Sequence, residues 1–148
     1  MKPDTVAIPA AVHDILDDKP TGFVATMRPD GRMSVTPVGL LYDGTYIRFS
    51  TTTDRKKYRN LLHDDRITIT VPHRNNPNRY VEARGRAVLE PDPDREFIDE
   101  IARHYMGVER YPFDRTGQER ITVTVVAEHV SAPDIPLADA PPQARDAT

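Results

Sequence analysis

Apolar residues in this chain recur mostly at every second position, in short runs separated by turn residues, the pattern of strands with one buried face. Thr21–Met27 places Phe23, Ala25 and Met27 on one face, and Pro29-Asp30-Gly31 follows as a turn. A second strand is expected over 32–42, and Asp43-Gly44 is a hairpin signal into a third over 45–50. Ile67, Ile69 and Val71 alternate with Thr68 and Thr70 in a fourth, and a fifth runs over 79–89 after a polar loop. Ile121, Val123 and Val125 alternate with Thr122 and Thr124 in the last. Helical spacing interrupts this pattern three times. Ile8, Val12, Ile15 and Leu16 form a short stripe around Pro9, and Tyr58, Leu61 and Leu62 share one helical face behind Asp54 as N-cap. Phe97, Ile98, Ile101, Ala102, Tyr105 and Met106 follow a cap-and-proline start at Asp92-Pro93-Asp94 and end at Gly107.

Six strands with three short helices, joined mostly by hairpins, predict a mainly β protein: a small six-stranded antiparallel barrel with peripheral helices. Residues 1–131 make one domain. Residues 132–148 hold four prolines and little to bury, so a flexible tail is expected there.

The second helix has a wrongly charged start. Arg55, Lys56 and Lys57 occupy its first turn, where cations oppose the helix dipole at a cost of roughly 0.3–1 kcal/mol each. A local rule broken in a run marks a candidate site. An anion would gain most from it, held by free backbone N–H groups, by the hydroxyls of Ser50, Thr51, Thr52 and Thr53, and by the cations. The formal net charge of -3 argues against a general nucleic-acid binder and suits a discrete anionic ligand. With no cysteine, disulfides and thiol catalysis are excluded, and the five histidines lack metal-ligand spacing, so no metal site is expected. No apolar run approaches the roughly 20 residues of a membrane span and no signal peptide opens the chain, so a cytoplasmic location is expected. In the second strand, Thr36-Pro37-Val38-Gly39 removes one ladder donor and one side chain, describing a flat strip where a planar ring could lie.

The order of motifs resembles the split β-barrel flavin and deazaflavin oxidoreductases, the superfamily of pyridoxamine 5'-phosphate oxidase. Within it, the chain looks most like the actinobacterial branch that uses coenzyme F420. The matching pieces are Gly22-Phe23-Val24-Ala25-Thr26, Asp30-Gly31-Arg32, Val35-Thr36-Pro37-Val38, Asp43-Gly44, and Phe49-Ser50-Thr51 followed by Arg55-x-Lys57 and Asn60-Leu61. Asn76-Pro77-x-Arg79-Tyr80-Val81-Glu82-x-Arg84-Gly85, Ile98-Asp99 and Tyr105-x-Gly107 complete the set.

The resemblance implies an FMN-binding type of split barrel, a homodimer with a cofactor at the interface, and F420 or alternatively FMN as that cofactor. It places Ser50, Thr51, Arg55 and Lys57 at the acidic end of the cofactor, and Thr52 and Asn60 are further candidate contacts beside them. Thr36, Pro37, Val38 and Gly39 would run along its ring, and Asn75, Pro77 and Arg79 would lie on a nearby loop. Lys56 and Arg59 join the set on charge alone. The expected activity is hydride transfer from reduced F420 to an electron-poor small molecule. An FMN-dependent enzyme and a non-catalytic F420 or tetrapyrrole carrier are the alternatives. No catalytic residue is identified, although Tyr80, His73 and Tyr105 are conceivable proton sources.

Overall fold

In the computed structural model, residues 4–133 are described. Within them, β1 (Thr21–Met27), β2 (Met33–Gly39), β3 (Leu41–Tyr42), β4 (Ile47–Thr52), β5 (Arg66–Pro72), β6 (Tyr80–Pro91) and β7 (Arg120–Ser131) build one curled antiparallel sheet. Their order is β2-β1-β5-β6-β7-β4-β3. Three helices, α1 (His13–Asp17), α2 (Lys56–His63) and α3 (Glu96–Met106), flank it. No helix among the described residues is long and apolar enough to cross a membrane. Most of the expected tail, from residue 134 onward, lies outside the described residues.

Seven strands replace the expected six because the second one is broken at Leu40. The two outermost strands of the sheet, β2 and β3, are consecutive in the chain and separated only by that residue. The sheet therefore curls back until one segment serves both of its ends. β2 pairs with β1 and β3 pairs with β4, so the backbone of Leu40 leaves one ladder before it enters the other.

Leu40 is fully buried, so its backbone groups need partners within the protein. Tyr105, near the end of α3, supplies one. Its hydroxyl accepts the Leu40 N–H at 2.9 Å and donates to the Pro20 carbonyl at 2.6 Å, with the Leu40 carbonyl also within reach at 3.1 Å. Its ring lies over Gly39, where an added Cβ would sit 3.2 Å from the nearest ring carbon.

The core takes alternate residues from most strands: Val24 from β1, Phe49 from β4, Ile69 and Val71 from β5, Val81 and Ala83 from β6, and Val123 and Val125 from β7. Ile15 and Leu16 of α1 and Leu61 of α2 close its ends. Three expectations from periodicity fail here. Phe23, Ala25 and Met27 do share a face of β1, but the buried face is that of Gly22, Val24 and Thr26, since both faces carry apolar groups and alternation alone does not say which one meets the core. Leu62 is 62% exposed, since on a two-turn helix the buried stripe is narrow enough for Leu61 alone to fill it. β7 does not alternate: every residue from Ile121 to Ala127 is buried, because β6 and β4 flank it and α3 packs on its outer face.

α3 also begins later than its sequence suggests. Asp92 is a cap, but its carboxylate reaches forward to the N–H groups of Phe97 and Ile98, at 3.1–3.3 Å. Arg95, in a left-handed conformation (φ 62°), fills the position just before the helix. Gly107 ends it in the same conformation (φ 69°), as expected. In β6, Gly85 marks a bulge against β7, where a Cβ would meet the Val126 carbonyl oxygen at 1.9 Å. The glycine that closes the Arg79–Gly85 match to the family is thus required by strand packing.

Tyr105→Phe is expected to lower stability by about 1–3 kcal/mol, because the buried Leu40 N–H loses its acceptor. Urea denaturation monitored by circular dichroism measures this. A loss near zero would remove the hydroxyl from the closure of the sheet.

Candidate functional site

The end of β2 and the end of β4 face a cleft of about 180 Å³. Pro37, Val38 and Gly39 form one wall, and Ser50 and Thr51, with Arg55 and Lys57 at the start of α2, form another. Ile98 and Ile101 of α3, with Tyr111 and Arg120, complete the lining. Seven residues expected from sequence thus converge on one hollow.

α2 starts one residue later than expected. Arg55 is its N-cap, in extended conformation, and no side chain caps the helix. Asp54 does not turn toward the helix. Its carboxylate is held by the Thr52 hydroxyl and by Gln118 Nε2 at 3.2 Å, which keeps it ionised below the ordinary carboxylate range. The first-turn N–H groups are therefore left without a side-chain acceptor at the positive end of the dipole.

Neither Arg55 nor Lys57 has a side-chain hydrogen bond or ion pair among the described residues. Partial burial pulls the Lys57 ammonium below the ordinary lysine value, and the neighbouring Arg55 charge adds to the effect. Thr51 is 3% exposed, and its Oγ1 is buried without a hydrogen-bond partner. Two unpaired cations, an uncapped helix and an orphaned hydroxyl in one place all lack an anionic acceptor.

Other expected residues are placed elsewhere. Asn60 is buried, with its Nδ2 donating to Thr26 Oγ1 at 3.1 Å, so its side chain fastens α2 to β1. Thr52 is buried and engaged with Asp54. Thr36 lies opposite Val24 on β2 and does not line the cleft, and Lys56 is exposed outside it. Arg59 turns back to the Asp54 carbonyl at 3.3 Å. Asn75, Pro77 and Arg79 sit on the β5–β6 loop, which contributes nothing to this cleft. Arg79 there forms a two-pronged pair with Asp14, at 2.9 and 3.0 Å.

Two of the conceivable proton sources have other work. The Tyr105 hydroxyl is engaged with backbone, and burial pushes its pKa up. His73 Nδ1 accepts the N–H groups of Asn75 and Asn76, both at 3.1 Å, and shapes the loop.

Sequence reasoning misses Arg120, and it takes Tyr111 as a packing residue before a pocket-lining one. Arg120 opens β7 on the face that continues as Thr122 and Thr124, and a cation at the head of a threonine face was the available signal. Its guanidinium binds Asp114 through Nε and Nη2 and lies 4.8 Å from the Tyr111 ring centroid.

A larger hollow of about 380 Å³ lies where Ala25, Thr68 and Arg84 line up across β1, β5 and β6. Its arginines are compensated: Arg66 by Asp64 at 2.6 Å, Arg86 by Asp65 at 2.8 Å and Arg84 by Glu82 at 3.4 Å. Unpaired charge distinguishes the smaller cleft.

The sequence profile of the pyridoxamine 5'-phosphate oxidase family matches residues 8–132, and the chain belongs to that family of flavin-type oxidoreductases. Its fold is similar to that of an F420 reductase, with 32% identity, a TM-score of 0.75, and coverage of 84% of this chain and 98% of that one. A conserved hypothetical protein from Mycobacterium tuberculosis shares the fold at 22% identity and a TM-score of 0.70, covering 97% of this chain and 98% of that one. General Stress Protein 26 from Bacillus anthracis shares it at 16% identity and a TM-score of 0.60, covering 81% and 88% respectively. No curated protein sequence matches the chain.

Thr51→Val is expected to leave stability unchanged or slightly raised, since the orphaned hydroxyl contributes nothing to the protein alone. The same change should weaken anion binding about tenfold. Paired melting curves and phosphate-ester titrations check both halves.

Proposed function

We propose that this protein is an F420-dependent oxidoreductase acting on an electron-poor small molecule, as a homodimer. The observation that carries this is the pair of unpartnered cations, Arg55 and Lys57, at an uncapped helix start. They share one cleft with the Pro37–Val38–Gly39 strip. The acidic end of the cofactor would be held by Arg55, Lys57, Ser50, Thr51 and the first-turn N–H groups of α2. Pro37 and Val38 would flank its ring beside Gly39, whose side-chain face the Tyr105 ring already covers, with Lys56 adding positive charge near a longer tail. Reduced deazaflavin, when bound, supplies a hydride equivalent for a C=C, C=N or C=O group. The protein's part is to orient, to exclude water and to fix charge.

The resemblance to an F420 reductase at 32% identity supports this choice of cofactor. FMN is the second reading, favoured by one observation: only two of the four cations at the start of α2 line the cleft, enough for a single phosphate.

The cleft volume of about 180 Å³ is below the roughly 300–1,000 Å³ usual for ligand pockets, so one subunit would enclose only part of the cofactor. The outward face of β1 and β2 offers a way to cover the rest. Phe23, Met33 and Val35 are 43%, 69% and 61% exposed, and Phe23 lies opposite Pro37, which lines the cleft. A contiguous apolar strip of this kind suits burial against a second copy. In a dimer, Asn75, Pro77 and Arg79 could reach the cofactor of the other subunit.

Titration with F420 and with FMN, followed by fluorescence, tests the cofactor. Tighter F420 binding is expected, with Lys57→Ala weakening it about tenfold or more as a charge-assisted contact is lost. Binding of FMN but not F420 would reverse the choice. Binding without consumption of reduced F420 across quinones, enones and imines would favour the carrier reading. Light scattering is expected to show a dimer, and Val35→Glu should shift it toward monomer.

A further inference from the structure

Beyond the unpaired cations, the cleft holds a charge whose placement is fully determined. Arg120 has a side chain only 9% exposed. Its Nε and Nη2 are committed to the Asp114 carboxylate, with Nε at 3.1 and 3.2 Å from the two oxygens. Asp114 is itself 6% exposed and also pairs with Arg95. Burial pushes its carboxyl upward, but the Arg120 hydrogen bond and the two arginine charges outweigh this and hold it below the ordinary carboxylate range.

Tyr111 covers the guanidinium face, and its own backbone is pinned by Asp99 Oδ1 at 2.9 Å and Arg95 Nη2 at 3.2 Å. A two-pronged carboxylate and a stacked ring leave the planar group no rotational freedom. The remaining nitrogen, Nη1, lies 3.4 Å from Ser50 Oγ, at the long end for a hydrogen bond.

The direction of that bond has a consequence for the cleft. Arginine has no acceptor, so in this contact Ser50 Oγ must accept. The single Ser50 hydroxyl proton is then free for another acceptor. Ser50 lines the cleft opposite no other acceptor that binds it among the described residues.

We infer that Arg120, fixed by Asp114 and Tyr111, is a positioning residue that turns the Ser50 hydroxyl proton toward an anionic ligand in the cleft. This rests on the proposal that the cleft takes the acidic end of a cofactor. It gives the 107–119 connection, which carries Tyr111 and Asp114, a role in ligand affinity although Asp114 does not line the cleft. Arg120 and Ser50 act in series, whereas Lys57 acts independently.

The test is a double-mutant cycle read by titration with F420, with FMN and with inorganic pyrophosphate as a minimal anion. Ser50→Ala and Arg120→Gln are each expected to weaken binding about tenfold, and the double variant no further. Ser50→Ala with Lys57→Ala should be additive. Arg120→Lys should bind as weakly as Arg120→Gln, because it keeps the charge and loses the fork. Tyr111→Phe should bind like the parent and Tyr111→Leu should not.

Additive losses for Ser50 and Arg120, or parent affinity in Arg120→Lys, overturn the inference. Circular dichroism verifies folding. If the Arg120 variants do not fold, the Tyr111→Leu and Ser50→Ala pair gives the same cycle, non-additive if the inference holds. Parent protein that binds pyrophosphate but neither F420 nor FMN removes the proposed function, and the pyrophosphate cycle then decides this inference alone. Parent protein that binds none of the three overturns both.

Discussion

The hydroxyl of Tyr105 meets the backbone at the one residue where the sheet must change partners. A strand that leaves one ladder and joins another exposes at least one N–H and one C=O at the crossing, and here that crossing is buried. An internal hydrogen-bonding group from α3 resolves this, and it couples the position of α3 to the curvature of the sheet. Gly39 belongs to the same arrangement, since the Tyr105 ring occupies the space a side chain would need. Because Ile98 and Ile101 ride on α3, and Pro37 to Gly39 end at the crossing, two walls of the cleft are set by this single contact.

Charge in the cleft divides into two kinds. Asp114 and Arg120 form a nearly dry pair, joined by the part-exposed Arg95, where an ion pair adds little net stability but holds its members in one geometry. Arg55 and Lys57 have no such partner. Their mutual repulsion and the partial burial of Lys57 both oppose folding, modestly, and any anion between them would relieve both. Fixed donors on one side and uncompensated cations on the other make a seat with orientation as well as charge.

Much of the fold was legible because local rules and tertiary demands agreed. The alternation in β5, the glycine end of α3 and the hairpin at Asp43-Gly44 all appear where the pattern put them, whereas β1 buries Val24 and turns the Phe23 face outward. Departures cluster where neighbours decide. Leu61 and Leu62 look alike in sequence, yet only one faces the core. Thr122 and Thr124 look like solvent-facing residues and lie buried under α3. Asp54 and Asp92 both read as caps, but Asp54 was drawn off by Thr52 and Gln118. The site divides the same way. The cations and hydroxyls of β4 and α2 announce themselves as a run, whereas Arg120 and Tyr111 come from a distant segment and gain meaning only beside Ser50.

The sequence alone determined the type of each main element, the turn positions and the misplaced positive charge at the start of α2. These depend on periodicity and on backbone preferences that act within a few residues. Only the tertiary structure decided that two of four neighbouring cations line the cleft, that the ring over Gly39 is the protein's own tyrosine, and that Asn60 faces inward. Burial, pairing and the satisfaction of backbone groups depend on which segments meet across the sheet, and no local pattern contains that information.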